Sequence, residues 1–314
     1  MTFGSHRSLR QNSYLSLLSL VFQVFLVVSL MFVLFRLLPG NPASLILGPG
    51  ATQAEVDNLR EAMGLNQSLG VQYANYLKNL LSGDLGFSYS YNQPVFEVIQ
   101  NRIIPTLQLM AGSILVSVVI GVSAGIFSGV YPDSKLSKVL LMLWVCVLAV
   151  PNFWLGLVLV QIFAVKLGIL PAIGYGSFSA MILPVLAIAA RLIALVARIT
   201  RSAVMEVVNE EYVRFAEAKG MQTWVIIFRH ILRPALPPIV TMVGMQAGYL
   251  LGGSVVIENL FSYPGMGQLL LAAVSFRDYE LMQGITFFFV LAFLSINLIV
   301  DLLYGQIDPR IRLE

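Results

Sequence analysis

Five polar side chains interrupt long apolar runs in this chain: Asn152, Gln161, Arg191, Gln246 and Asn297. Amides and a guanidinium in such surroundings have two uses. They hydrogen-bond neighbouring helices to one another, or they line a polar path along which a solute moves. The residue types allow both. Asn152, Trp154 and Gln161, separated by two, seven and nine residues, are expected on one helical sector as a stripe, with Arg191 and Gln246 as further lining. Trp154 is read as a gate or as packing.

Other chemistry finds little support. There is one cysteine, Cys146, inside an apolar run, and the two histidines, His6 and His230, lie far apart. No disulfide framework and no zinc or other metal site is expected from such a set. The chain has no GxxxxGK[ST] loop, HExxH or GxSxG. It therefore offers no catalytic residues, no nucleotide site of its own and no cofactor. Gly252-Gly253 is read as helix packing or bending. The methionines, such as Met142, Met181, Met242 and Met245, are read as adaptable packing.

The elements that must position these residues follow from hydropathy. Of 314 residues 58% are hydrophobic and 11% charged, and mean hydropathy is +0.83. A soluble domain carries about 25% charged residues. The apolar residues come in runs near the ~20 needed to cross a bilayer as a helix: 14–37, 107–130, 139–165, 182–196, 236–257 and 285–300. An all-α integral membrane protein with about six transmembrane helices is expected. Arg36 ends the first run, where it can snorkel, and Arg191 lies inside the fourth. No small-residue cleavage signature follows the first run, so it is read as a retained span.

Lysine and arginine set the orientation. Arg7, Arg10, Lys135, Lys138, Arg198, Arg201, Arg214, Lys219, Arg229, Arg233, Arg310 and Arg312 crowd one set of span ends. Both termini are expected in the cytoplasm. The expected parts are a tail and first helix over 1–38, an extracytoplasmic cap over 39–106, and a five-helix core over 107–314 with a cytoplasmic loop at 198–234. Apolar spacing at 53–63 and 72–81 predicts two helices within the cap. Glu258 and Asp301, at span ends, are read as helix caps. The net charge of +3, without a basic, aromatic-interleaved segment, gives no support to nucleic acid as a partner; membrane lipid is the expected surroundings.

The cytoplasmic loop carries the most specific pattern. Glu211-Tyr212-Val213-Arg214-Phe215-Ala216-Glu217-Ala218-Lys219-Gly220 reads as a short amphipathic helix stopped by a glycine. Phe228-Arg229-His230-Ile231-Leu232-Arg233-Pro234 then leads into the next span. Small residues at Ala216 and Ala218 would let another protein approach closely. A helix lying on lipid has the same pattern.

This segment resembles the coupling loop of binding-protein-dependent ABC importers, and most closely the dipeptide/oligopeptide/nickel permease branch, whose pattern reads Y-V-R-x-A-x-A-K-G followed by H-x-L-R. The resemblance extends through Arg36-Leu37-Leu38-Pro39-Gly40-Asn41-Pro42, Met63-Gly64-Leu65, Gly83-Asp84-Leu85-Gly86-Phe87-Ser88, Pro151-Asn152-Phe153-Trp154, Glu258, Pro264-Gly265-Met266-Gly267, Arg277-Asp278-Tyr279 and Asp308-Pro309-Arg310. Asn41 stands where the family usually has Asp. The resemblance implies a type I ABC importer permease fold in a bacterial inner membrane. It implies a second homologous permease, two cytoplasmic ABC ATPases that use ATP-Mg, and an extracytoplasmic solute-binding protein. It also implies ATPase coupling through Tyr212, Arg214, Ala216, Glu217, Ala218, Lys219 and Gly220.

Two other classes stay in view. A channel or secondary transporter would need carboxylates well inside the spans, and an intramembrane enzyme would need a reactive pair. The six runs supply neither. For the solute, di- or oligopeptides and nickel or metal-chelates are both open.

Overall fold

Apolar runs in a bilayer must satisfy their backbone internally, and the chain does so almost wholly with helices. The computed structural model describes the backbone of residues 5–37 and 41–307, and side chains of residues 21–37 and 41–300. Leu38-Pro39-Gly40, Asp308-Pro309-Arg310 and Arg312, and the side chains of Arg7, Arg10 and Asp301, lie outside the described residues.

Thirteen α-helices follow in order among those residues: α1 (Ser5–Leu37), α2 (Pro42–Leu47), α3 (Gln53–Ala62), α4 (Leu69–Leu81), α5 (Val95–Val130), α6 (Lys135–Ala149), α7 (Asn152–Leu159), α8 (Phe178–Val208), α9 (Glu211–Ala218), α10 (Thr223–Val225), α11 (Arg233–Leu260), α12 (Met266–Phe276) and α13 (Tyr279–Ile307). Seven-residue π-helical segments, Val160–Lys166 and Ile226–Leu232, continue α7 and join α10 to α11. Among the described residues four helical segments are long and apolar enough to span a membrane: Val95–Val130, Phe178–Val208, Thr223–Leu260 and Tyr279–Val300. The expected third span is a pair, Lys135–Ala149 and Asn152–Lys166, bent by 109°. Val150 and Pro151 sit at the break, and Pro151 supplies no N–H to carry α6 onward. The described side chains of α1, Val21–Leu37, are likewise apolar.

The chain divides into two compact units. The first holds residues 1–103 and 269–294. Here α3 begins with a capping box, in which Glu55 N donates to Thr52 Oγ1 and Thr52 N donates to the Glu55 carboxylate. The two cap helices expected at 53–63 and 72–81 are thus α3 and α4. A two-stranded antiparallel hairpin pairs Phe87 with Pro94 and Ser88 with Gln93. Asp278 locks this hairpin to the start of α13. One of its oxygens accepts from Leu281 N at 3.2 Å; the other accepts from Ser88 Oγ at 2.7 Å and Ser90 Oγ at 2.6 Å.

The second unit holds residues 104–268 and 295–314. Its centre is a parallel pair of helices in register. Ser113, Ser117, Gly121, Gly125 and Gly129 recur every four residues along α5. Ser113 donates to Val185 O of α8 at 3.4 Å, and Ser117 Oγ, which donates to Ser113 O one turn back at 2.5 Å, lies 3.3 Å from Ala189 O of α8. A Cβ on Gly121, Gly125 or Gly129 would strike Val196, Thr200 or Val204 and the carbonyls of Ile193, Ala197 and Arg201. Every one of these carbonyls lies 72 positions beyond its α5 partner, so the two helices run in the same direction. Residues 131–177 must therefore return the chain along the pair, which is the path a span between them would take. Small residues every fourth position allow such backbone approach where water does not drive packing.

Candidate functional site

α8 carries Arg191 near its middle, about 20 Å from its first residue at 1.5 Å per residue. Three helices converge there. Arg191 from α8, Asn152 from the first turn of α7 and Gln246 from α11 line one cavity of about 170 Å³, with Tyr249 and Gly253 beside them. Three of the five expected path residues thus share a cavity. Trp154 and Gln161 do not line it, and both are exposed. Helical geometry gives the reason: at 100° per residue, steps of two and nine residues turn a side chain by about 200° and 180°. The expected single stripe is corrected accordingly, and the π-helical turn from Val160 moves Gln161 further from α-helical register. Gly252 and Gly253 have open space where a Cβ would stand. They do not pack tightly within this chain, and Gly253 widens the cavity.

The cavity offers a fixed cation and two neutral amides. That set can accept a carboxylate or a peptide carbonyl and can donate to either. Arg191 is exposed rather than sealed in the core, so the charge opens onto the surface of the unit.

Close by in sequence but different in kind is Glu258, fully buried near the end of α11. Its carboxylate accepts from Thr106 Oγ1 at 2.8 Å, Ser254 Oγ at 3.1 Å, Gly267 N at 2.7 Å and Gln268 N at 3.2 Å. Met266 N in turn donates to Thr106 Oγ1 at 2.8 Å. The first three N–H groups of α12 are thereby capped. A Cβ on Gly265 would collide with the carboxylate. The expected capping role is what the side chain performs, and on a different helix from its own.

On the α9 side, Val213 and Ala216 are buried in an apolar cluster that includes Val204, Ile226 and Ile231. Tyr212, Arg214, Glu217, Ala218, Lys219 and Gly220 are exposed. Lys219 Nζ lies 4.4 Å from the Phe215 ring centroid. Burial, with Glu210 nearby, raises the Tyr212 phenol above its ordinary value of 10. Ala216 corrects one expectation: with 4% of its surface exposed, its smallness serves the chain's own core and leaves Ala218 as the small residue on the open face. The helix closes with Gly220 N donating to Glu217 O at 2.8 Å and Met221 N to Ala216 O at 3.3 Å, a Schellman ending. Gly220 has φ +72° with open space around it, so glycine is required there by conformation and not by crowding. Phe215, Trp224 and Phe228 stay more than half exposed around this face.

A polar cavity between membrane-length helices and, at the far end of α8, an exposed amphipathic helix are the features of a membrane protein with a polar path and a docking face. Residues 121–313 match the family of binding-protein-dependent transport system inner membrane components, and residues 14–110 match the N-terminal region of such components. The chain belongs to this family: it is an inner-membrane permease subunit of an ABC importer. It is not an enzyme, and ATP hydrolysis resides in separate subunits. The family works with ATPase and solute-binding partners. The chain is 41% identical over 297 residues to the glutathione transport system permease protein GsiC of Escherichia coli (strain K12), covering 94% of this chain and 97% of the relative. It is 43% identical, with the same coverage, to GsiC of Salmonella choleraesuis (strain SC-B67). Its fold is similar to the inward-facing MetNI methionine ABC transporter, with TM-score 0.59 and 18% identity over 68% of this chain and 97% of that one. It is also similar to an amino acid ABC transporter solved with histidines, with TM-score 0.52 and 17% identity over 67% and 94%.

Proposed function

We propose that this permease moves short peptides inward, forming half of their path with a second homologous permease. The observation that carries this reading is the meeting of Asn152, Arg191 and Gln246 in one cavity. A lone guanidinium with two amides suits a solute bearing carboxylates and peptide groups. Relatives named as glutathione permeases support the same solute class. Soft-metal chemistry gains nothing from this trio, because none of the three is a thiolate or imidazole.

Two cytoplasmic ATPases, using ATP-Mg, dock against α9 through Tyr212, Arg214, Glu217, Ala218 and Lys219. An extracytoplasmic protein delivers the solute. Both termini face the cytoplasm, with 39–106 outside as a cap, 107–314 as the core and 198–234 as the cytoplasmic loop.

The solute is tested by reconstituting the complete transporter in proteoliposomes and comparing uptake of labelled glutathione, a labelled dipeptide and nickel-63. ATP-dependent peptide uptake is expected; uptake of nickel alone overturns the reading. Cysteines at Ser68 and Ser202 should react with an impermeant maleimide from opposite sides of the membrane. Reaction from one side refutes the orientation.

A further inference from the structure

A second polar cavity lies wholly within the first unit. Arg36 at the end of α1, Asn79 on α4, Asp84 in the following loop, and Glu280 and Gln283 on α13 line about 210 Å³. Its polar groups are unevenly satisfied. Arg36 Nε donates to Gln72 Oε1 at 2.9 Å, and the guanidinium carbon sits 3.8 Å from the Phe32 ring centroid. These contacts fix the group in place. Yet Arg36 Nη1 is buried without a hydrogen-bond partner. Gln283, only 4% exposed, has its Nε2 in the same condition.

Two carboxylates border the same space. Glu280 Oε2 accepts from Phe87 N at 2.6 Å, and Asp84 Oδ1 accepts from Gly86 N at 2.8 Å. A Cβ on Gly86 would strike the Glu280 carboxylate, so glycine admits that side chain. Among the described residues no ion pair joins Arg36 to either carboxylate. Arg36 and Glu280 feel each other's charge across the cavity without closing a salt bridge. A buried donor left unmade costs stability. Such an arrangement is complementary to a ligand that carries both signs.

We propose that this cavity binds a zwitterionic amino-acid head group, with Arg36 and Gln283 donating to its carboxylate and Glu280 and Asp84 accepting from its ammonium. Size agrees. The space is about 210 Å³. It is smaller than the 300–1,000 Å³ or so that encloses a drug-sized ligand, so it takes one end of a peptide and not the whole. The site is distinct from the Arg191 cavity. It depends on the peptide reading only for the choice of probe, and on the proposed orientation for facing outward.

The test is site protection in the complete transporter in nanodiscs, with Asn79→Cys in a Cys146→Ser background. S-methylglutathione, whose blocked thiol cannot consume maleimide, should slow labelling at position 79 at least fivefold. Its N-acetyl derivative, lacking the ammonium, should not. Gln283→Met should abolish protection while melting temperature stays level or rises, because an orphaned donor is removed. Arg36→Lys should weaken protection, and Arg191→Leu should leave it intact. Equal protection by the N-acetyl derivative, or protection surviving Gln283→Met, overturns the site. Protection without ATP-driven uptake of the same peptide would sink the transport reading and leave this one standing.

Discussion

Glu258 and Arg191 stand in the same unit, each a charged side chain in an apolar protein, and their surroundings are opposite. Glu258 is sealed, with four donors on its two oxygens and three helix N–H groups organised through it and Thr106. Arg191 is open, among two amides and space. A buried polar group with every partner in place fixes a fold. Arg191, whose partners are incomplete within the chain, is on the proposed reading kept for a solute that arrives. Satisfaction, and not mere polarity, is the proposed divide between these two residues.

The sharpest way to break this contrast is Glu258→Ala. It removes the acceptor of Thr106 Oγ1 and Gly267 N, at about 1–3 kcal/mol for each buried group. The permease should fail to accumulate, or lose at least 10 °C in detergent melting. Glu258→Gln should be milder, since it keeps the volume and one acceptor. A stable Glu258→Ala protein would erase the distinction.

Arg191→Leu should do the converse. Melting should change by no more than a few degrees, because no partner is orphaned, while peptide uptake falls at least tenfold. Unchanged uptake with unchanged stability would return Asn152, Arg191 and Gln246 to helix packing.

The smallest effect on folding belongs to the α9 face. Ala218→Trp projects outward and should leave the permease inserted and melting normally, yet prevent co-purification of the ATPase. Gly220→Val forces a β-branched residue to φ +72°, a cost of roughly 1–2 kcal/mol. It should loosen both the helix ending and the docking. Retained co-purification and solute-stimulated hydrolysis in Ala218→Trp would place coupling elsewhere.

Much of the fold was legible because hydropathy acts over long windows. The runs at 107–130, 182–196, 236–257 and 285–300 fall on α5, α8, α11 and α13. The run at 139–165 reads the same way, but hydropathy averages over direction, and a 109° break leaves no trace in it. Pro151 is the visible signal, since a proline cannot donate the hydrogen bond that would carry α6 onward. The α9 ending was legible because Gly220 is a local device. The cavity was half legible: polarity inside a span nominates Asn152, Arg191 and Gln246, but their meeting depends on three helices far apart in sequence. The partners of Glu258 were hidden for the same reason, Thr106 lying 152 positions away. The small-residue ladder from Ser113 to Gly129 was printed plainly in the sequence at four-residue spacing and is the signal that would have paired α5 with α8.

That ladder also has a mechanical meaning. Five successive contacts with almost no side chain between two backbones leave nothing soft to deform. One helix cannot creep along the other by fractions of an ångström; it moves by a whole turn, about 5.4 Å, or not at all. The α5–α8 pair therefore behaves as a single stiff beam, with Arg191 near mid-length and the segment leading to α9 at its end. If coupling enters at α9 as proposed, a displacement of the beam's end carries Arg191 with it, and the break beside Pro151 is where the neighbouring helices have room to bend.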